Sequence, residues 1–353
     1  MRIGIIGAGK VGRTLALMLH ESGVVPTLAD MHRPPLPDAL AQNFRDLDAT
    51  DPADLGGFVR ENDVVVSAGP FRINLDVARA CAEGGAAYLD FTEDTETAAA
   101  VRAIAAGKNA PFVPQCGLAP GMVNVIAADL AAQFEHVQSL KLRVGALPQT
   151  TGNHIRYYLT WSTAGLVNEY CQPCDALYQG RPIKTMPLDG LETVVIDGVQ
   201  YEAFNTSGGT ATMCETFTGR VDDLTYKSLR YPGHCEKMRF LLHDLQLPQE
   251  ELEDILSRQL PSTTQDVVVL LVEAVGTRAG ALDARNSVRK ILPAKVGGIE
   301  VTAIERSTAA GMAAVLELLA EGRLPAGFVR QESIPFTDIL STKWGSAVYG
   351  DGR

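Results

Sequence analysis

The sequence predicts an α/β protein: a Rossmann-type, doubly wound parallel sheet, with an inserted α+β domain built on a mixed, largely antiparallel sheet. Three observations predict this fold. A short apolar run near the N-terminus leads into G-x-G-x-x-G and an amphipathic helix. Short strand and helix patterns then alternate to about residue 130. Beyond that point longer strands joined by hairpin signals take over, and a long helical pattern returns only near the C-terminus.

The first strand and helix form a dinucleotide-binding pattern. Residues 2–6 predict a buried strand, and apolar residues recur at helical spacing over 11–19. Gly7 allows a tight turn, Gly9 lets the backbone approach a pyrophosphate, and Gly12 lets the helix pack closely on the sheet. The dipole at the helix N-terminus favours phosphate. The segment therefore predicts binding of a nicotinamide dinucleotide.

The second predicted strand selects between the two forms of that cofactor. Residues 24–30 end in Asp30, at the place where a carboxylate binds the ribose hydroxyls. A carboxylate repels a 2′-phosphate, so Asp30 favours NAD. His32 and Arg33 follow it and could hold that phosphate instead, which keeps NADP as the alternative.

Four more strands complete the predicted parallel sheet, at residues 44–47, 63–71 and 86–94 and at the start of the segment 111–134. Ligands of such sheets bind beyond the carboxyl ends of the strands. The loops at those ends therefore complete the predicted cofactor site. The predicted cofactor-binding residues are Gly7, Gly9, Lys10, Val11, Gly12, Asp30, Asp48, Ala68, Gly69, Pro70, Gly117 and Leu118.

The inserted domain is predicted over residues 131–306, between nucleotide-domain segments 1–130 and 307–353. Asp197-Gly198 is the turn of a predicted hairpin. Further strands are predicted over 222–231, which leads into a bend at Pro232-Gly233, and over 265–280 and 297–309. A helix is expected after Ser307 and is expected to pack on the nucleotide domain.

The amino-acid composition argues against several classes of function. The 353 residues include 31 Lys and Arg against 42 Asp and Glu, a net charge of −11. This balance argues against binding to nucleic acid or to an anionic membrane surface. No apolar run approaches the length of a membrane span, and the N-terminal segment lacks the pattern of a signal peptide, so a cytoplasmic protein is expected. Cys171 and Cys174 have C-x-x-C spacing without a second pair, and no metal site is predicted.

Several motifs resemble the saccharopine dehydrogenase family. They include "GIIGAGKVG", "CGLAPGMVNVIA", "AFNTSGG", "SLRYPGH" and "MAAVLELLAEGRLPAGFVRQESI", and the resemblance extends over nearly the whole chain. The first is shared by many NAD proteins, whereas "GLAPG" and "LRYPGH" are more specific. The stretch "YLTWSTAGLVNEYCQP" is similar to the lysine 6-dehydrogenase branch in particular.

The resemblance implies hydride transfer between NAD(P) and a carbon that bears nitrogen. In the lysine branch the ε-amino group of L-lysine is oxidatively deaminated by NAD, giving ammonia and allysine, which cyclises to piperideine-6-carboxylate. The inserted domain then binds this small-molecule substrate and mediates a homodimer. Two alternatives stay open: a saccharopine or carboxynorspermidine dehydrogenase acting on a secondary amine, and a non-catalytic NAD(P)-binding sensor.

A lysine-oxidising site needs groups for both ends of the amino acid. Arg230 is the first candidate for the α-carboxylate, because a guanidinium binds a carboxylate with two parallel hydrogen bonds. Arg143 is the reserve. Glu169 or Glu93 could accept the α-ammonium. A substrate with a second carboxylated arm would need a further cation, for which Arg143, Arg156 or Lys237 are candidates.

The remaining candidate residues would contact the reacting amine and the aliphatic chain of the substrate. His234 is the predicted general base, because an imidazole titrates near neutrality. Trp161 and Tyr231 are candidates for a flat wall against the nicotinamide, and Thr206 for orienting the substrate. The simpler interpretation is that Arg230 and His234 form a solvated, charged corner and that the aromatic residues belong to the core.

Overall fold

The computed structural model describes residues 1–350, which divide into two compact units. The first consists of Met1–Val125, Ala294–Val301 and the chain from Glu305 onward. The second consists of Ile126–Pro293 and Thr302–Ile304. Compared with the predicted boundaries, the main difference is that residues 294–301 group with the first unit.

The strands of the described chain belong to two large sheets and one small hairpin. In chain order they are β1 Ile3–Ile6, β2 Thr27–Asp30, β3 Phe44–Asp46, β4 Val64–Ser67, β5 Ala87–Asp90, β6 Pro111–Val113, β7 His136–Pro148, β8 Cys174–Tyr178, β9 Arg181–Thr185, β10 Glu192–Ile196, β11 Val199–Asn205, β12 Val221–Arg230, β13 Asp266–Arg278, β14 Ala281–Ile291, β15 Ala294–Val296, β16 Ile299–Val301 and β17 Gly327–Phe328.

The helices connect these strands and cover the sheets. They are α1 Lys10–Glu21, α2 Asp38–Ala41, α3 Pro52–Arg60, α4 Asn74–Gly84, α5 Thr95–Ala105, α6 Met122–Ala131, α7 Thr163–Cys171, α8 Met213–Phe217, α9 His234–Arg239, α10 Gln249–Gln259, α11 Ala303–Ala320, α12 Phe336–Ser341 and α13 Lys343–Tyr349. Among residues 1–350, no helix combines the length and the apolar character that crossing a membrane requires.

The first unit contains a seven-stranded parallel sheet in the order β17-β6-β5-β4-β1-β2-β3. Every residue of β1, β4 and β5 is buried, as expected for strands covered by helices on both faces. The strand order reverses direction between β1 and β4, which is where such sheets bind their ligands. The predicted Rossmann-type sheet is confirmed.

The second unit is built on a mixed sheet with the path β10-β11-β12-β7-β13-β14, and β8 and β9 attach beside β12. Only the β12–β7 pairing on this path is parallel. The hairpin turn between β10 and β11 has φ 51° at Asp197 and φ 77° at Gly198, the left-handed pair that a two-residue hairpin favours. The predicted mixed, largely antiparallel sheet is confirmed.

The two faces of this mixed sheet carry separate buried clusters. On one face Phe204 packs with Tyr157 and Tyr170 in a cluster that also holds residues of α9 and α10, and we call it the helix face. Its neighbour Ala203 points to the opposite face, into a cluster with Leu229. This alternation along a strand decides which residues can share a site.

Several elements differ from the sequence-based predictions. The strand predicted over 297–309 is only Ile299–Val301, and α11 begins at Ala303, ahead of the predicted start after Ser307. Asp266 explains the early start: its carboxylate accepts the backbone N–H groups of Ala303 and Ile304 at 2.6 and 2.9 Å and stabilises the helix N-terminus. The sequence analysis missed β14, an edge strand that is largely exposed and polar.

Candidate active site

The glycine loop between β1 and α1 has the backbone that a dinucleotide needs. Gly7 has φ 110°, and a Cβ there would lie 2.6 Å from the Ala68 carbonyl oxygen. A Cβ on Gly12 would lie 2.0 Å from the Gly7 carbonyl oxygen, whereas a Cβ on Gly9 would meet no atom within 4 Å. Gly7 and Gly12 therefore shape the loop, and the space beside Gly9 is free for a pyrophosphate.

The start of α1 fits an anionic ligand. Gly9 occupies the N-cap position without a side-chain cap, and the first turn contains no acidic residue. The exposed N–H groups and the helix dipole are then available to phosphate oxygens. Asp30 Oδ2 accepts the Ala8 N–H at 2.7 Å and holds the loop against the end of β2. The residues present fit a nicotinamide dinucleotide.

The other predicted cofactor residues lie in loops at the carboxyl ends of the parallel strands. Ala68, Gly69 and Pro70 follow β4 directly. The carbonyl oxygens of Gly117 and Leu118, after β6, accept N–H groups at the start of α6. Lys10 and Val11 open α1, and Asp48 follows β3, where its Oδ1 accepts the Thr50 N–H and hydroxyl. Their contacts with a cofactor stay predictions.

Arg230 is the central cation of the second unit. It ends β12 on the helix face and is only 2% exposed. Its Nε–H donates to the Tyr170 hydroxyl at 2.9 Å, and Nη1 donates to the Leu229 carbonyl at 2.9 Å. The guanidinium carbon lies 5.3 Å from the centroid of the Tyr157 ring, within the range of a cation–π contact. Arg230 is therefore a buried, oriented cation rather than part of a solvated corner.

His234 is bound at both ring nitrogens. Because a carbonyl oxygen can only accept, Nδ1–H donates to Ile155 O at 2.9 Å. Nε2 then accepts the Tyr170 hydroxyl at 3.0 Å. Burial, assisted by the nearby Arg230, lowers the pKa of His234 to about 3. The expectation of an imidazole that titrates near neutrality does not fit this environment, because the charged form would lose its hydration.

Tyr170 joins the cation to the imidazole, since its hydroxyl accepts from Arg230 and donates to His234. We expect Tyr170→Phe to lower the free energy of unfolding by about 1–3 kcal/mol, because two buried groups lose a partner. Chemical denaturation measures this change. The exposed Tyr178 offers a matched control, and its phenylalanine variant should match wild type. Equal stability of the two variants would contradict this role for Tyr170.

An acid and two hydroxyls complete the polar group around Arg230. Glu169, on α7, is 8% exposed, and its Oε2 lies 3.7 Å from Arg230 Nη2. The Ser228 hydroxyl donates to the same oxygen at 3.4 Å and lies 2.8 Å from the Thr206 hydroxyl. Among residues 1–350, Nη2 has this ion pair but no hydrogen bond. One edge of the guanidinium therefore retains donors for an added acceptor.

The structure places two predicted residues elsewhere. Tyr231 points to the opposite face, where its ring stacks on Tyr201 and its hydroxyl donates to Pro148 O at 2.8 Å. Arg143 lies on that same face, where it pairs with Glu192 and Glu273. Neither joins the Arg230 group, because both side chains lie on the other side of the sheet. Tyr231 directly follows Arg230, and consecutive residues of a strand face opposite sides. Trp161 is half-buried against the helix-face cluster.

Sequence reasoning missed Tyr157, Tyr170 and Glu202. Glu202 accepts the N–H groups of Gly233 and Cys235 at 2.7 and 2.5 Å, and so it fixes the bend that follows β12. Tyr170 lies in the stretch that carries the resemblance, and Tyr157 lies immediately before it. Nothing in the local pattern shows that they contact Arg230. In the part of the chain that the structure describes, no three His, Cys, Asp or Glu side chains converge as metal ligands.

Known proteins resemble both units. Residues 3–111 match the saccharopine dehydrogenase NADP binding domain, and residues 117–345 match the saccharopine dehydrogenase C-terminal domain. Three similar solved structures show the fold, at identities too low to transfer an activity. Apo saccharopine dehydrogenase (L-Glu forming) from Saccharomyces cerevisiae matches with a TM-score of 0.74 and 13% identity over 94% of each chain. Homospermidine synthase from Legionella pneumophila in complex with NAD matches with a TM-score of 0.71 and 14% identity, over 99% of this chain and 90% of that chain. DAP dehydrogenase from C. glutamicum in complex with DAP matches with a TM-score of 0.51 and 10% identity, over 100% of this chain and 99% of that chain.

Proposed function

Because the chain belongs to the saccharopine dehydrogenase family, we propose that it couples a nicotinamide cofactor to oxidation of a carbon that bears an amino group. The specific reaction proposed is the NAD-dependent oxidative deamination of the ε-amino group of L-lysine. It yields ammonia and allysine, which cyclises to piperideine-6-carboxylate. The glycine loop of the first unit supports the cofactor assignment, and the Arg230 group of the second unit supports the substrate class.

The observation that carries the proposal is the buried pair of Arg230 and Glu169. An amino-acid zwitterion carries a carboxylate and an ammonium on the same carbon. Arg230 has unused donors at Nη2 for the carboxylate, and Glu169 lies 3.7 Å from that atom as an acceptor for the ammonium. Burial strengthens both interactions, because water does not screen them. A non-catalytic nucleotide sensor has no need for such a pair.

We assign a role in this reaction to each polar residue around Arg230. Arg230 and Glu169 hold the α-carbon groups, and the Thr206 and Ser228 hydroxyls extend this polar surface. Tyr170 fixes the plane of the guanidinium, and His234 fixes Tyr170, so the imidazole acts through its partner rather than as a base. Trp161 remains the candidate wall for the aliphatic chain. When bound, the oxidised nicotinamide accepts a hydride from the carbon that bears the reacting nitrogen.

Secondary-amine substrates are the second candidate, since saccharopine carries an additional carboxylated arm. That arm needs a second cation beside Arg230. Arg143 lies on the opposite face in ion pairs, and Lys237 Nζ donates to the Gly233 carbonyl at 2.8 Å. These contacts argue against Arg143 and Lys237, and the exposed Arg156 is the remaining candidate for that arm. Homodimer formation stays a prediction.

The test is a screen of the purified protein against L-lysine, other amino acids and polyamines with NAD or NADP. Reduced nicotinamide and free ammonia are followed together. Ammonia formed in a one-to-one ratio with reduced nicotinamide supports deamination. Release of an amine without ammonia would instead support cleavage of a secondary amine. No reduction with any compound would contradict the proposal.

We expect the protein to bind NAD more tightly than NADP by at least tenfold. Asp30, at the end of β2, would repel a 2′-phosphate, and Arg33 is engaged elsewhere. Its guanidinium lies over the Phe44 ring at 5.2 Å and donates to Ala41 O at 2.6 Å. Fluorescence titration with both reduced cofactors measures the ratio. Tighter binding of NADPH would show that His32 and Arg33 dominate.

A further inference from the structure

Two loops at the carboxyl edge of the parallel sheet meet around Asp90, at the end of β5. Asp90 is fully buried, and its Oδ1 accepts the N–H groups of Thr92 and Gln115, both at 2.9 Å. Its Oδ2 accepts the Tyr88 hydroxyl at 2.6 Å. The carboxylate thereby brings the loop after β5 close to the loop after β6. Both loops lie where a Rossmann-type sheet holds the nicotinamide half of its cofactor.

Gln115 is held in an unusual conformation in this place. Its φ is 65°, a left-handed value that costs energy for a residue with a side chain. The residue is 2% exposed, yet its Nε2 has no hydrogen-bond partner among residues 1–350. A buried donor without a partner is rare and also costs stability. Both features are expected where a side chain is positioned for a ligand.

Glu93 adds a carboxyl group to the same edge. It follows Thr92 and is half-buried, and its carboxylate has no hydrogen bond or ion pair within the described chain. Burial, and then repulsion by Asp94, raise the pKa of Glu93 to about 7. Three other titratable groups of this edge, Asp90, Tyr88 and Cys116, are buried as well. A carboxyl that titrates near neutrality suits proton transfer.

We propose that Glu93 is the proton acceptor of the amine oxidation and that the Gln115 amide binds the oxygen of the water that completes the deamination. The inference rests on the proposed function. It assigns to Glu93 the role of base that the sequence analysis gave to His234.

The proposed oxidation begins with a proton transfer to Glu93. The Glu93 carboxylate takes one proton from the substrate ammonium, which leaves a neutral amine. The carbon that bears this amine loses a hydride to the oxidised nicotinamide, and a carbon–nitrogen double bond forms, giving an iminium. Water held by Gln115 Nε2–H adds to that carbon, the carbon–nitrogen bond breaks, and the products are an aldehyde and ammonium. The proton on Glu93 passes to solvent.

The first test compares Glu93→Gln with wild type in turnover with L-lysine and NAD. General acid–base catalysis contributes roughly 100- to 10,000-fold, so we expect kcat to fall at least 100-fold with KM changed less than threefold. Wild-type kcat should rise with pH across neutrality, and the residual rate of the variant should lose that limb. The control is Glu96→Gln, an exposed glutamate in the first turn of α5, which should behave as wild type.

A second readout does not depend on activity. Because the folded pKa of Glu93 is raised, its protonated form stabilises the fold at low pH, and this contribution is lost as pH rises through about 7. Glutamine resembles the protonated form. The Tm of Glu93→Gln should therefore increase relative to wild type between pH 5 and pH 8, whereas the Glu96→Gln difference should stay constant.

The outcomes separate the two proposals. If wild type oxidises an amine but Glu93→Gln retains its rate and pH profile, the role of Glu93 is refuted and the proposed function stands. A Tm difference that does not change with pH would refute the titration of Glu93. If wild type oxidises no amine, the proposed function fails, and the base assignment fails with it even where the Tm difference follows pH.

Discussion

Arg230→Ala should weaken binding of the amino-acid substrate by about 2–5 kcal/mol, which is roughly 30-fold to several thousand-fold. The guanidinium is buried and oriented by Tyr170 and Tyr157, so its loss removes the carboxylate partner and leaves Glu169 without its ion pair. Steady-state KM and the isotherm of substrate binding in the presence of NADH measure the effect. Affinity for the cofactor should change less than twofold, because the residue belongs to the second unit.

Two variants control this experiment. Arg230→Lys should recover only part of the affinity, because an ammonium cannot form two parallel hydrogen bonds to a carboxylate. Arg239→Ala removes an exposed guanidinium of the neighbouring helix, which pairs with Asp189 at 2.7 Å, and it should match wild type. A folded Arg230→Ala protein with wild-type KM would contradict the substrate assignment.

Gly9→Val should lower the affinity for NAD and NADH by at least tenfold and leave Tm unchanged. A Cβ at this position would meet no atom of the protein within 4 Å, and the backbone φ of −67° suits any residue. The added side chain therefore enters only the space assigned to the pyrophosphate. Fluorescence titration with NADH and a thermal scan of the same sample measure the two quantities.

Gly12→Ala is the matched comparison within the loop. Its Cβ would lie 2.0 Å from the Gly7 carbonyl oxygen. Because the loop would have to move, this variant should have both a lower Tm and a lower affinity for the cofactor. If Gly9→Val binds NADH as wild type does, the loop does not hold the pyrophosphate. If it loses Tm as Gly12→Ala does, the space beside Gly9 is not free.

The nucleotide half was predictable because its constraints are local. Gly7 and Gly12 of the loop are required by contacts with each other and with the residues that follow β4, and the apolar strands β1, β4 and β5 are buried along their whole length. The long exposed strand β14 was not predictable in this way, because its residues lack the apolar alternation of a half-buried strand. The start of α11 depended on Asp266, which is distant in sequence.

The substrate residues were only partly predictable. Arg230 was identified from its residue type, but Tyr231 was grouped with it although consecutive strand residues face opposite sides. The lowered pKa of His234 follows from its complete burial, and its contacts with Tyr170 and Ile155 fix the orientation of the ring. Those partners are far away in sequence, so neither could be inferred from the motif around the bend. Residue types pointed to the candidate site, and tertiary contacts show the environment of each side chain.

The most direct measurement of the central claim uses L-lysine deuterated at the carbon that bears the ε-amino group, with NAD and the wild-type protein. We expect each turnover to transfer one deuterium to the reduced nicotinamide and to release one ammonia, with a slower rate than for unlabelled lysine if hydride transfer limits turnover. Reduced nicotinamide that carries no deuterium, or no reduction at all while NADH binds normally, would contradict this expectation.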